Sequence, residues 1–136
     1  MRRRGFLLAV PWILTARFAH AAESLRGKLR QPEGKPPVLE APDGRILRLE
    51  GDEATRGVLS DKRLAGMSVE FAGTLKAADL LEVGPIHTRS LFAFQDGRKL
   101  MITYYCAVCA IRFYTPGICW CCQEYTALDL IESDKP

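Results

Sequence analysis

All five cysteines of this 136-residue chain fall between Cys106 and Cys122, in the stretch CAVCAIRFYTPGICWCC. With no cysteine elsewhere, no intrachain disulfide can tie the segment to the first hundred residues. Whatever these sulfurs do, they do with one another or with something outside the chain. Their spacing narrows the choice. Cys106-x2-Cys109 is followed after nine residues by Cys119-x2-Cys122, giving C-x2-C-x9-C-x2-C. Two such pairs suit a four-thiolate tetrahedral site, because each pair sits in a tight turn that aims both sulfurs at one ion. Thr103-Tyr104-Tyr105 reads as the strand that delivers the first pair, and Tyr114-Thr115-Pro116-Gly117 as a turn before the second. Cys106, Cys109, Cys119 and Cys122 are therefore the expected ligands. Cys121 is an extra thiol, and it leaves a second register open in which Cys119-Trp120-Cys121 supplies the pair.

The region ahead of the cysteines predicts a mostly β fold. Apolar residues alternate in Leu25–Leu29, Ile46–Glu50 and Met67–Gly73, and shorter runs follow at Leu80–Val83, Ser90–Phe94 and Lys99–Tyr104. Asp43-Gly44 and Asp96-Gly97, each between such runs, are hairpin signals. From Glu53 to Ala65 the two-residue period gives way: Val58, Leu59 and Leu64 fall at helical spacing, and Ser60 or Asp61 is placed to cap a short turn before Gly66. Five or six short strands with one helical insertion predict a closed or nearly closed barrel. The order resembles the small OB-type barrels of exported bacterial proteins, in the Gly-Lys-Leu first strand, the Asp-Gly hairpin and the run Asp61–Gly73. The resemblance implies a fold and no particular activity. The organisation expected is a barrel over 22–103 with one short helix, a metal-binding β-hairpin ribbon over 104–130 and a polar tail over 131–136.

The first residues predict export. MRRRGFLLAVPWILTARFAHA has a basic start, a short apolar run and an Ala19-His20-Ala21 cleavage site, the layout of a signal peptide over 1–21. Pro11 and Arg17 interrupt the apolar run, which is too short for a transmembrane span of about 20 residues. Arg3-Arg4-Gly5-Phe6-Leu7 resembles the twin-arginine motif of bacterial signals, although Arg2 stands where that pattern usually has a polar residue. The resemblance implies a protein moved already folded, with any cofactor already inserted, into the periplasm or another extracytoplasmic space. Charge is recounted accordingly. The whole chain has 19 Lys and Arg against 16 Asp and Glu, a net of +3. Arg2, Arg3, Arg4 and Arg17 leave with the peptide and no acid does, so the mature chain carries 15 against 16, a net of −1. A nucleic-acid partner calls for a basic patch, and this balance offers none.

No nucleophile elbow, zinc-protease helix motif or phosphate-binding glycine loop occurs in the sequence. The mature chain has a single histidine, His87, which reads as a loop residue. No catalytic residue is expected. The cysteine segment resembles the zinc-ribbon and rubredoxin-like knuckle families, which carry paired C-x2-C turns on hairpins. That resemblance implies the same four ligands. It departs from those families in having Ala110 and Gln123, where glycine often follows the second cysteine. Zinc in such a site is structural, because four protein ligands leave no open position; iron in the same cage makes an electron carrier. Two further uses of the sulfurs stay open: disulfide pairing, the default in an oxidising compartment, and a reactive thiol pair. Tyr104, Tyr105, Phe113, Tyr114, Trp120 and Tyr125 are expected to pack the ribbon onto the barrel. The expected role is an exported, non-catalytic binding or assembly module whose partner is a protein of the cell envelope.

Overall fold

The computed structural model describes residues 23–132. The expected signal peptide and the end of the polar tail lie outside them. Among the described residues there are nine strands, one α-helix and two single 3-10 turns. None of the helices is long and apolar enough to cross a membrane.

Five strands close a barrel: β1 (Glu23–Arg30), β2 (Val38–Glu40), β3 (Ile46–Glu50), β4 (Ser68–Ala77) and β5 (Leu80–Val83). The circuit runs β1-β2-β3-β5-β4 and returns to β1, with the β3–β5 pair parallel and the other pairs antiparallel. This is the OB-like arrangement. Closure depends on two glycines. A Cβ on Gly27 would lie 2.4 Å from the Glu40 carbonyl oxygen, and one on Gly73 would lie 2.1 Å from that of Glu82. Both sit where neighbouring backbone comes too near for any side chain.

The helical insertion is α1 (Glu53–Leu59), followed by a 3-10 turn at Lys62–Leu64. Asp52 caps α1 by accepting the Thr55 N–H at 2.8 Å, and Asp61 caps the second turn by accepting from Arg63 N–H. Val58, Leu59 and Leu64 are fully buried and join the barrel core, as their spacing predicts.

The two expected Asp-Gly turns are present, with Gly44 at φ 88°, Asp96 at 52° and Gly97 at 75°. The second joins β6 (Leu91–Gln95) to β7 (Arg98–Cys106). These two strands leave the closed circuit: β6 pairs with β4, and β7 with β6, extending the sheet away from the barrel. They still share its interior, since Leu91, Ala93, Ile102 and Tyr104 belong to the same buried cluster as Leu29, Phe71 and Leu81. One core thus runs from the barrel to the foot of the cysteine segment.

Candidate metal centre

β7 is the strand that delivers the first sulfurs. Its inward residues, Leu100, Ile102 and Tyr104, are held in the core, and two residues beyond Tyr104 the alternation brings Cys106 to the same side. The chain turns through Ala107–Ala110 and returns as β8 (Ile111–Phe113), pairing Cys106 with Ile111. Cys109 thus lies in the turn of a hairpin, as its spacing predicts. A second hairpin carries the other pair. The Thr126 N–H donates to the Gly117 carbonyl at 3.0 Å, Ile118 bridges Tyr125, and the Cys119 N–H donates to the Glu124 carbonyl at 2.8 Å. At the tip the Gln123 N–H returns to the Cys119 carbonyl at 2.8 Å. The chain then enters β9 (Ala127–Ile131), which pairs with β7 from Met101 to Tyr105. Both ends of the segment are therefore fastened to one strand.

The fold brings Cys106, Cys109, Cys119 and Cys122 together, their sulfurs all within 4.8 Å of one another. Cys106 and Cys119 are buried, Cys109 and Cys122 half-buried. The Cys106 and Cys122 sulfurs are 3.4 Å apart, and all five cysteines are unbridged. A tetrahedral zinc with Zn–S bonds of about 2.3 Å requires sulfurs about 3.8 Å apart. Four soft thiols at this separation, two of them shielded, fit zinc or iron in chemistry and in size. Cys121 is exposed and falls outside the group of four, although its thiol reaches that of Cys109.

Both turns carry a left-handed residue just after the second cysteine: Ala110 at φ 53° and Gln123 at φ 62°. These are the positions where the zinc-ribbon and rubredoxin-like knuckles that the segment resembles often have glycine. The backbone keeps the turn without it, at a cost of about 1–2 kcal/mol for each residue. In return the peptide N–H groups face sulfur. Those of Cys122 and Cys121 point at Cys119 and draw its thiol down to about 7, against burial. The Cys109 thiol moves the other way, raised by the neighbouring Cys121 thiol and by burial.

Charged groups fix the segment to its surroundings. Arg112 on β8 donates to Thr103 Oγ1 at 2.7 Å and to Asp129 at 2.8 Å, joining β8, β7 and β9. Arg63, from the turn after α1, donates to the Thr126 carbonyl at 2.8 Å and to Asp61, and its guanidinium lies 5.1 Å from the centre of the Tyr104 ring. Asp61 is held below the ordinary carboxylate range; burial works against this but is outweighed by the hydrogen bonds and charge of Arg63. The same burial, with Asp61 beside it, raises the Tyr104 phenol. Sequence reading missed Arg63, because nothing local marks an arginine that will meet a carbonyl 63 positions further on.

The aromatic residues correct an expectation. Tyr104 is fully buried and Phe113 packs on the core, so these two serve the predicted role. Trp120 is 75% exposed, Tyr125 81% and Tyr114 48%, and Val108 and Ile118 stand out beside them. They occupy the turns themselves, where the chain has too little neighbouring mass to cover them.

No protein-family model, curated protein or solved structure matches this chain.

Proposed function

We propose that this is an exported bacterial protein, carried folded through the twin-arginine route to the periplasm, in which one structural zinc sets the ribbon as a docking surface for a protein of the cell envelope. The observation that carries the reading is the composition of residues 107–126. Only Cys119 and Thr126 are buried there, yet the segment holds two ordered hairpins with large apolar side chains at their tips. Hydrophobic burial cannot hold such a segment, and a metal bound by four thiolates can, contributing on the order of 10 kcal/mol. With all four positions filled by protein the ion has no place for substrate, so its role is to hold shape. The exposed Val108, Ile118, Trp120 and Tyr125 all belong to this segment, and large apolar side chains left in water on one segment suit an interaction site.

Elemental analysis of the mature chain, purified after export by a strain competent for twin-arginine transport, tests the reading. About one zinc per chain is expected. About one iron with a visible charge-transfer spectrum replaces the docking module with an electron carrier. No metal, with four cysteines bridged, removes the reading altogether. Replacing Arg3-Arg4 by lysines tests the route separately: the protein is expected to remain in the cytoplasm.

A further inference from the structure

A four-thiolate site uses four sulfurs, and this segment carries a fifth beside them. Cys121 stands in the turn that holds two of the four, between Cys119 and Cys122. That turn is closed by the Gln123 N–H, which donates to the Cys119 carbonyl at 2.8 Å. Cys109 comes from the other hairpin, yet its sulfur lies within 4.8 Å of those of both Cys119 and Cys122. The two tips therefore meet at the sulfurs, and the Cys121 thiol reaches that of Cys109 across the gap. An exposed turn position has no need of a thiol, since a small polar side chain serves it as well.

Exposure ranks the five. Cys106 and Cys119 are buried, Cys109 and Cys122 half-buried, and Cys121 exposed. An oxidant arriving from solvent meets Cys121 first, and that sulfur is the one outside the group of four. Oxidation of cysteine follows access, and a second thiol close by turns the first product into a disulfide. Three cysteines compete for that part. Cys122 is the next residue, and neighbouring Cα atoms are about 3.8 Å apart, short of the roughly 4.4–6.8 Å that a disulfide spans. Cys119 is buried. Cys109 is half-buried, stands on the opposing hairpin and contacts Cys121, so it is the sulfur placed to complete the bond.

We propose that the ribbon is a redox-sensitive switch: hydrogen peroxide oxidises Cys121, Cys109 leaves the metal to close a disulfide with it, and the metal is released. The switch presupposes the bound zinc proposed above. In the first step the Cys121 sulfur attacks one peroxide oxygen, the O–O bond breaks, and Cys121 sulfenic acid and water form. In the second, the Cys109 thiolate attacks the sulfenic sulfur. The S–S bond forms, the S–O bond breaks, and the departing hydroxide takes up a proton to become water. Two electrons pass from the two sulfurs to one peroxide, and two waters result. Withdrawing Cys109 leaves three ligands of four and removes the support of the docking surface. Peroxide thereby turns docking off.

The test uses the mature chain, purified reduced and loaded with zinc, its zinc content recorded before hydrogen peroxide is added. Zinc release is followed with a chromogenic chelator, and cysteine bonding is mapped by mass spectrometry of the digested protein. Release is expected together with a cross-link between Cys109 and Cys121, and a thiol reductant with added zinc is expected to restore the loaded form. In Cys121→Ser and Cys121→Ala, which keep all four ligands, release is expected to be at least about tenfold slower, because the remaining sulfurs are shielded. Zinc lost as fast from both variants as from the parent, or a cross-link that excludes Cys121, overturns the switch and leaves the zinc reading standing. Oxidation of Cys121 to sulfinic acid with the zinc retained overturns it too. Failure of both variants to take up zinc makes Cys121 a ligand and has the same effect. A parent chain that holds no zinc at the outset removes the zinc reading and the switch together.

Discussion

Ala110 and Gln123 show how the ribbon trades local comfort for sulfur geometry. Each takes a left-handed backbone that an L side chain disfavours by about 1–2 kcal/mol. Glycine relieves this strain and loses part of the gain to its greater freedom when unfolded. Ala110→Gly and Gln123→Gly are each expected to raise stability by about 0.5–1 kcal/mol, read as a higher denaturant midpoint with unchanged slope. A loss of stability in both would show that these side chains have a role the turn geometry does not account for. The sulfurs themselves differ by position. Cys121→Ser is expected to leave metal stoichiometry intact, since Cys121 lies outside the four, whereas Cys106→Ser or Cys119→Ser, each the loss of a buried member of the four, is expected to abolish binding. The pH dependence follows from the same neighbours. The depressed Cys119 thiol, at about 7, sheds its proton readily, while the raised Cys109 holds its own until the ion displaces it. Apparent zinc affinity in a competition assay should therefore strengthen as pH rises from about 6 to about 8, because metal binding releases protons.

At the scale of elements, β7 is the strand on which everything else converges. It pairs with β6 and then β8 on one edge and with β9 on the other, because Met101 faces Phe92 and Ile131 while Tyr104 faces Phe113 and Leu128. Its inner face belongs to the core, and its end carries Cys106. The turn after α1 adds a brace from the barrel side, through Arg63 to Thr126. Because that bond runs from a charged donor to the base of the second hairpin, Arg63→Ala is expected to cost about 1.5–3 kcal/mol. The loss should appear as faster hydrogen exchange at Gly117–Thr126, with exchange in β1–β5 unchanged. Uniform acceleration through the barrel would mean instead that Arg63 serves the whole fold. The barrel has its own sensitive points: Gly73→Ala places a methyl on the Glu82 carbonyl and should destabilise by about 3 kcal/mol, the upper range for forced overpacking.

For the whole molecule, the contrast is between a barrel held by apolar burial and a ribbon whose four clustered cysteines could hold a metal ion. The buried cluster from Leu29 to Tyr104 needs no metal, while residues 107–126 contribute to it through Phe113 alone, partly buried. Treatment of the metal-loaded protein with a strong chelator is therefore expected to leave the β-sheet circular dichroism of the barrel largely in place. Limited proteolysis should then cut between Cys106 and Ala127, where the loaded form resists. Loss of all β signal on chelation would make the ribbon a condition for folding the barrel, contrary to the continuous core seen here.

The sequence by itself determined the alternating strands, the two Asp-Gly turns, the helical break and the spacing that groups the cysteines. Each of these depends on contacts or backbone preferences within a few residues. Only the tertiary structure decided that β6 and β7 leave the closed circuit, that Cys122 rather than Cys121 joins the other three sulfurs, and that Trp120 and Tyr125 face outward. It alone brought Arg63 to Thr126. The reason is the same in each case. Pairing across a sheet edge, the aim of a side chain from a turn and the meeting of distant loops are set by how elements pack in space, and that packing leaves no periodic mark along the chain.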